Sequence, residues 1–570
     1  MVFRKEILLG QLLIDKRLIT VEQLDEALKE QKISGGFIGN IMVKLGYISQ
    51  EKLFPILAEQ LNVEYIKLKN KRISPEVIEK VPAKFASHYK LIPIDFKDGI
   101  LSIAVTNPLD IHTMDDVKLL LDCGTKPVLA GEEDIIEAIR KYYGLGADTL
   151  EKIMDGEEEK KGLEVEISKT EDIEDAAQDA SIIKFVNQLF LQAYKDRATD
   201  IHIEPYEDEM KVRYRIDGIL YKTTIPSSIK HFQSAIISRV KIMSNLNIAE
   251  KRLPQDGRMR IKVAGDELDL RVSILPTPHG ESVNIRLLST NIKFGMEGIG
   301  LQGKDLELME EMIKKPHGII FVTGPTGSGK TTTLYACLGK INSEEKKIIT
   351  IEDPIEYQVK GVTQIHVHPQ IGLTFAKGLR SMLRHDPDIM MVGEVRDFET
   401  AEITIRVALT GHLVFSTIHT NDAAGGITRL LDMGIEPYLA ASSIECFVAQ
   451  RLVRLICPKC KAEIKPSKSV LRELGVLQMS DIAKTKFYEG KGCEECKQTG
   501  YKGRTAIYEI LVIDNEIRDL IMVRKSADVI KESAVKRGMR TLRQDGWEKI
   551  KRGITTPSEV IRVTEAQKIE

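Results

Sequence analysis

The chain has 570 residues, of which 29% are charged and 42% hydrophobic, and its 82 basic and 84 acidic side chains leave a net charge of −2. That length exceeds a single hydrophobic core and predicts about three or four domains, while the charge balance gives no global pull toward nucleic acid. No apolar run approaches the roughly 18 residues that cross a membrane, and Asp15, Lys16 and Arg17 interrupt the opening segment before a signal peptide could form, so a cytoplasmic protein is expected.

Residues 1–70 contain a repeat. Leu9-Gly10-Gln11-Leu12-Leu13-Ile14, with Leu24, Leu28 and Gln31, recurs 29 residues later as Ile38-Gly39-Asn40-Ile41-Met42-Val43, with Leu53, Leu57 and Gln60. Each copy predicts a short helix, a turn and a second amphipathic helix capped by Thr20 or Ser49, and Gln23 completes a capping box in the first copy alone. Two copies are too few for a solenoid, so a small helical module is expected. Over 71–143 the pattern turns to mixed α/β, with strands at 90–94 and 100–105 and a helix over 133–143. Residues 144–179 read as a charged linker, marked by Glu157-Glu158-Glu159-Lys160-Lys161, with Ile153-Met154 and a short strand at Val165-Glu166-Ile167 as its apolar features. A strongly periodic helix over 181–198 then opens an α+β domain spanning 180–290, with alternating strands at Ile201-His202-Ile203 and Lys211-Val212-Arg213-Tyr214-Arg215.

Residues 291–570 alternate strand and helix, as a parallel sheet requires. Near their start, 317–331 read HGIIFVTGPTGSGKT, an apolar strand that runs straight into a phosphate loop at Gly324, Pro325, Thr326, Gly327, Ser328, Gly329, Lys330 and Thr331, followed by Thr332. Glycines let this backbone turn sharply and aim N–H groups at phosphate oxygens. Lys330 reaches the β- and γ-phosphates, and Thr331 offers its hydroxyl to Mg²⁺. Nucleoside triphosphate binding is predicted. The apolar run Ile389-Met390-Met391-Val392 predicts a buried strand that delivers Glu394 beside this loop. Gly393 occupies the place where an aspartate is usual, so Glu394 is expected to hold Mg²⁺ through water.

Three boxes follow the phosphate loop: Thr350-Ile351-Glu352-Asp353-Pro354-Ile355-Glu356-Tyr357, then Leu383-Arg384-His385-Asp386-Pro387-Asp388 through Gly393-Glu394-Val395-Arg396-Asp397, then Thr410-Gly411-His412-Leu413 through Thr417-Ile418-His419-Thr420-Asn421. In this order they resemble the secretion ATPase superfamily, and within it the GspE/PilB branch. The resemblance runs from about residue 180 to the carboxyl end and more loosely over the amino-terminal region. It implies an α/β multidomain chain in which a RecA-like core follows an α+β domain, and an enzyme that hydrolyses ATP. By the same resemblance Glu356 polarises the attacking water, with a turn cap shared by Glu352, Asp353 and Glu356 as the alternative. His412 and His419 form a histidine box that senses the γ-phosphate or couples it to domain motion, with structural histidines beside a strand as the alternative. Arg271, Arg286, Arg380 and Arg384 contact phosphates, some across a subunit boundary, against the alternative of surface arginines in water. His366 and His368 are read as structural.

Cys457-Pro-Lys-Cys460 and Cys493-Glu-Glu-Cys496 are two C-x-x-C pairs separated by 32 residues. Four thiolates close a tetrahedral sphere, so a structural Zn²⁺ is expected, with the segment between the pairs projecting from the core. Cys123, Cys337 and Cys446 are expected to be buried thiols.

The resemblance further implies a homo-hexamer, peripheral at the cytoplasmic face of the inner membrane, that acts through a membrane platform protein on pilins or pseudopilins. Pilus assembly is the leading expectation, with type II secretion as the alternative. Retraction ATPases of the superfamily typically lack the tetracysteine insertion and the long amino-terminal region. The amino-terminal repeat also resembles a cyclic-di-GMP-binding domain that opens each copy with Arg-Leu-Gly; here Leu8 and Phe37 hold the arginine positions, which favours helical packing or partner docking over ligand binding. A DNA translocase is disfavoured by the neutral charge and the zinc insertion.

Overall fold

A computed structural model describes residues 9–34, 38–61, 63–108, 118, 123–147, 173–263, 265–289, 295–476, 482 and 485–564. It divides into two compact units, Met1–Leu287 and Leu288–Glu570. No helix among the described residues is long and apolar enough to cross a membrane.

The first unit opens with two helix pairs, Leu9–Asp15 with Val21–Ser34 and Ile38–Lys44 with Gln50–Leu61, whose starts recur at the 29-residue spacing of the sequence repeat. Thr20 caps the second helix: Gln23 N donates to Thr20 Oγ1 over 3.3 Å and Thr20 N to Gln23 Oε1 over 2.9 Å. Leu13, Ala27, Met42 and Leu53 fill the core between the pairs. Leu8 and Phe37 lie outside the described residues. The helical module ends earlier than residue 70, because strand Glu64–Tyr65 joins a four-stranded sheet with Gly124–Leu129, Ile100–Val105 and Leu91–Lys97, backed by helix Glu132–Tyr143.

The expected linker is also shorter than its composition suggested, since helix Ile173–Lys195 begins inside it; Ile153-Met154 and the strand at Val165-Glu166-Ile167 lie outside the described residues. That helix and Gln233–Met243 cover one face of a six-stranded antiparallel sheet. Strand alternation buries Leu268, Leu270, Val272 and Ile274 on that face and Val283 and Ile285 beside them, which turns Arg271 and Arg286 to the opposite, polar face.

The second unit is a RecA-like α/β fold. Its seven-stranded sheet runs in the order Val362–His366, Ile348–Glu352, Ile389–Val392, Leu413–Ile418, Gly318–Thr323, Ile444–Ile456 and Tyr501–Val512, parallel except for the last strand. Helices cover both faces, which is why Gly318–Thr323, Ile389–Val392 and Leu413–Ile418 are buried at every position. Cys337 and Cys446 are buried thiols, whereas Cys123 is half-buried.

The described residues between the cysteine pairs pack against the core where a projecting segment was expected. Leu474, Val476 and Phe487 belong to the same core as Trp547 and Ile550, and Arg543 donates to the Glu473 carbonyl over 2.7 Å. The apolar residues of the insertion need cover, and helix Leu542–Lys551 supplies part of it.

Candidate functional site

In an open parallel sheet ligands gather where the strands end, and the phosphate loop follows the carboxyl end of Gly318–Thr323. Gly329 sits at φ +89° as the cap of helix Lys330–Ile341, a left-handed conformation that needs no side chain. Lys330 arches back and donates to Gly324 O over 2.9 Å and to Pro325 O over 3.1 Å. Burial lowers its ammonium to about 8, with Glu394 pulling the other way and Arg451 adding to the lowering. Ser328 is 4% exposed, and its Oγ has no hydrogen-bond partner among the described residues. A buried hydroxyl without a partner, a lysine whose charge burial opposes and a helix amino terminus are chemically matched to a phosphate chain. Pro325, Thr326 and Gly327 are exposed at the tip, while Thr331 and Thr332 lie half-buried in the first helical turn.

Glu394 emerges where strand Ile389–Val392 ends. Its carboxylate meets Arg396 Nη2 at 2.5 Å and His419 Nε2 at 3.5 Å, and its charge reaches Lys330. The structure therefore brings Lys330, Glu394 and His419 together. Gly393 explains why the carboxylate comes one residue late: its N–H donates to Ile351 O over 2.8 Å, and a Cβ there would stand 3.3 Å from both Ile351 O and Glu352 Cα. An aspartate at that position would press on the neighbouring strand.

His412 is not brought to this edge. Its carbonyl accepts from Gly318 N over 3.1 Å at the opposite end of the paired strands, and its Nδ1 lies 3.1 Å from both Thr410 Oγ1 and Val407 O. Strand Leu413–Ile418 separates it from His419 by about 23 Å at ~3.3 Å per residue. His366 and His368 pack ring against ring at 4.5 Å.

Glu356 lies half-buried on the loop after strand Ile348–Glu352 and donates its N–H to the Tyr335 hydroxyl over 3.4 Å. Glu352 itself is 2% exposed and does more than cap a turn. It accepts from Thr350 Oγ1 over 2.6 Å, from Gln364 Nε2 over 3.1 Å, and from the Tyr335 hydroxyl. Burial raises its carboxyl above the usual range against those hydrogen bonds, and the charge of Glu356 adds to the rise. Tyr335, from the helix that follows the phosphate loop, thus links Glu352 to the loop of Glu356.

The four arginines fall into two pairs, one in each unit. In the second unit Arg380 pairs with Glu399 at 2.8 Å, and Arg384 donates to Arg380 O over 2.8 Å and to Ser381 Oγ over 2.9 Å. In the first unit Arg286 Nε donates to Asp200 Oδ1 over 3.0 Å, and Arg271 stands on the adjacent strand, opposite Arg258. A cation that the sequence reading passed over, Arg451, donates to Asn421 O over 2.6 Å and to Gln450 O over 3.0 Å, within reach of Gly324. The polar pair Gln450-Arg451 inside the apolar run ECFVAQRLVRLI was the available signal.

Cys457, Cys460, Cys493 and Cys496 place their sulfur atoms within 4.8 Å of one another, with Sγ–Sγ separations of 3.7 Å for Cys457–Cys493 and Cys493–Cys496 and 3.8 Å for Cys460–Cys496. Tetrahedral Zn–S bonds of ~2.3 Å put the sulfurs about 3.8 Å apart, so the residues fit a zinc ion. Backbone N–H groups of Cys493 and Gly500 each approach Cys496 Sγ at 3.2 Å, the outer support a thiolate ligand requires.

A family model described as "Type II/IV secretion system protein" matches residues 175–562, and another described as "MshEN domain" matches residues 61–149. A type IV pilus assembly ATPase PilB of Myxococcus xanthus is 44% identical over 564 residues, covering 97% of this chain and 98% of that protein. A type II secretion system protein E of Xanthomonas campestris is 42% identical over 561 residues, covering 97% of each chain. Among solved structures the ATPase DotB of Legionella pneumophila shares the fold, with a TM-score of 0.50 at 22% identity over 67% of this chain and 95% of DotB.

Proposed function

The chain belongs to the type II/IV secretion system protein family of ATP-hydrolysing enzymes, and from that premise we propose that it is a hexameric motor driving type IV pilus assembly. It would work at the cytoplasmic face of the inner membrane, through a platform protein that passes the motion to pilins. The observation that carries this reading is a likeness to a pilus assembly ATPase that extends over nearly the whole of both chains. The equally long likeness to a type II secretion protein supports pseudopilus assembly as the second reading. Deleting the gene is expected to abolish surface pili and leave enzyme secretion intact. Lost secretion with pili retained would put the second reading in place of the first.

In this reading the phosphate loop from Gly324 to Thr332 cradles the triphosphate, and Lys330 exchanges its two loop carbonyls for phosphate oxygens. Mg²⁺ would be held by Thr331 directly and by Glu394 through water, where it supplies charge neutralisation on the phosphate oxygens. Glu356 accepts the proton of the attacking water. His419, beside Glu394, reports the state of the γ-phosphate, whereas the place of His412 at the far strand end suits it to anchoring the sheet. By family likeness Arg271, Arg286, Arg380 and Arg384 add counter-charge, some of them from a neighbouring subunit. The four cysteines would hold Zn²⁺ as a closed, structural centre.

The lysine gives the site a pH dependence with a definite sign. Phosphate binding favours the charged ammonium, and burial leaves that group at about 8 in the free protein. ATP affinity should therefore stay level below neutrality and weaken above pH 8, by about tenfold at pH 9 relative to pH 7. Titration of a fluorescent ATP analogue across this range reads the effect, and a level profile to pH 9.5 would remove it.

A further inference from the structure

Strand Ile444–Ile456 outruns its parallel neighbour: the pairing with Gly318–Thr323 ends at Thr323 opposite Ala449, and Gln450 continues beside the phosphate loop. Gln450 is 2% exposed, an amide set into the apolar run Phe447-Val448-Ala449 before it and Leu452-Val453 after it. Both ends of that amide are committed to the nucleotide site, one to loop backbone and the other to a helix side chain. Nε2 donates to Ser328 O over 2.9 Å, and Oε1 accepts from Thr333 Oγ1, in the first turn of the following helix, over 2.7 Å. Gly329 permits the approach, since a Cβ there would stand 2.9 Å from Gln450 Nε2.

A trans peptide plane fixes the consequence. The carbonyl of Ser328 and the N–H of Gly329 share one plane and point in opposite directions. Holding the carbonyl on Gln450 aims the N–H away from the strand and into the hollow of the loop, where a phosphate oxygen would sit. The Thr333 bond meanwhile ties the start of the helix to the same amide, so that loop and helix dipole are held in one geometry.

We propose that Gln450 is a positioning residue for nucleotide binding, holding the Ser328–Gly329 peptide in its phosphate-accepting orientation. This rests on the reading of 324–331 as the ATP-binding loop. Gln450→Met keeps the side-chain volume and removes both hydrogen bonds. In the full-length protein this variant is expected to weaken a fluorescent MgATP analogue about tenfold while leaving kcat at saturating ATP within about threefold. Amide hydrogen exchange over 324–331, measured without nucleotide, should quicken while the sheet strands keep their protection. A merely structural role would lower protection throughout and leave affinity unmoved. Should Gln450→Met fail to fold, Thr333→Val, which loses a single hydroxyl, is expected to weaken the analogue about threefold. Affinity within about twofold of the parent in whichever variant folds overturns the proposal, whatever the exchange shows. Lys330→Ala is the control: if it binds the analogue as the parent does, the loop reading has failed, and exchange over 324–331 alone then judges whether Gln450 holds the loop.

Discussion

Glu356→Gln should retain MgATP binding within about threefold and lose turnover by about a hundredfold or more, the range over which a positioned base contributes. The substitution keeps the shape of the side chain, and the loop that carries it is held from behind by the Tyr335 hydroxyl, which accepts from Glu356 N and bonds to the buried Glu352. What is removed is a carboxylate able to take the proton of the attacking water. Glu394 is the competitor for that task. It is already engaged by Arg396 and His419 and lies within the field of Lys330, an arrangement suited to holding a hydrated metal. Steady-state hydrolysis and analogue binding on Glu356→Gln and Glu394→Gln side by side separate the two roles. Full turnover in the first variant and none in the second would transfer the base to Glu394.

Removing zinc should produce the other large effect. Cys496→Ser, or exhaustive chelation, is expected to lower the Tm of the second unit by about 10 °C, because binding energy at a closed tetrathiolate centre is folding energy. The loss would spread beyond the four sulfurs. Phe487, between the cysteine pairs, packs against Trp547 at a ring separation of 5.9 Å, and Arg543 fastens the Glu473 carbonyl to the same helix. Trp547 is the sole tryptophan, so its emission should shift to the red as the insertion loosens. Freshly purified protein without stoichiometric zinc would dismiss the centre.

How much of this was legible beforehand depended on how local each signal was. The 29-residue repeat, the Thr20 capping box, the buried strands and the two cysteine pairs were all readable, because periodicity and cap chemistry act within a few residues. Boundaries were less so. Strand Glu64–Tyr65 takes its identity from pairing with Gly124–Leu129, and the helix from Ile173 starts in a segment whose composition reads as linker.

The sequence by itself determined the phosphate loop, because cradling an anion with consecutive N–H groups demands glycines, a lysine and a threonine at fixed places in one short stretch. It determined the tetrathiolate set for the same reason, and through the order of its boxes it determined the family. Only the tertiary structure decided what stands around the loop. Gln450 meets Ser328 across 122 residues, Tyr335 meets Glu352 across 17, and His419 reaches Glu394 from the next strand of the sheet while His412, at the other end of its own strand, does not. Strand order and register set those encounters. Both follow from the cooperative burial of a whole sheet, which no local run of residues records.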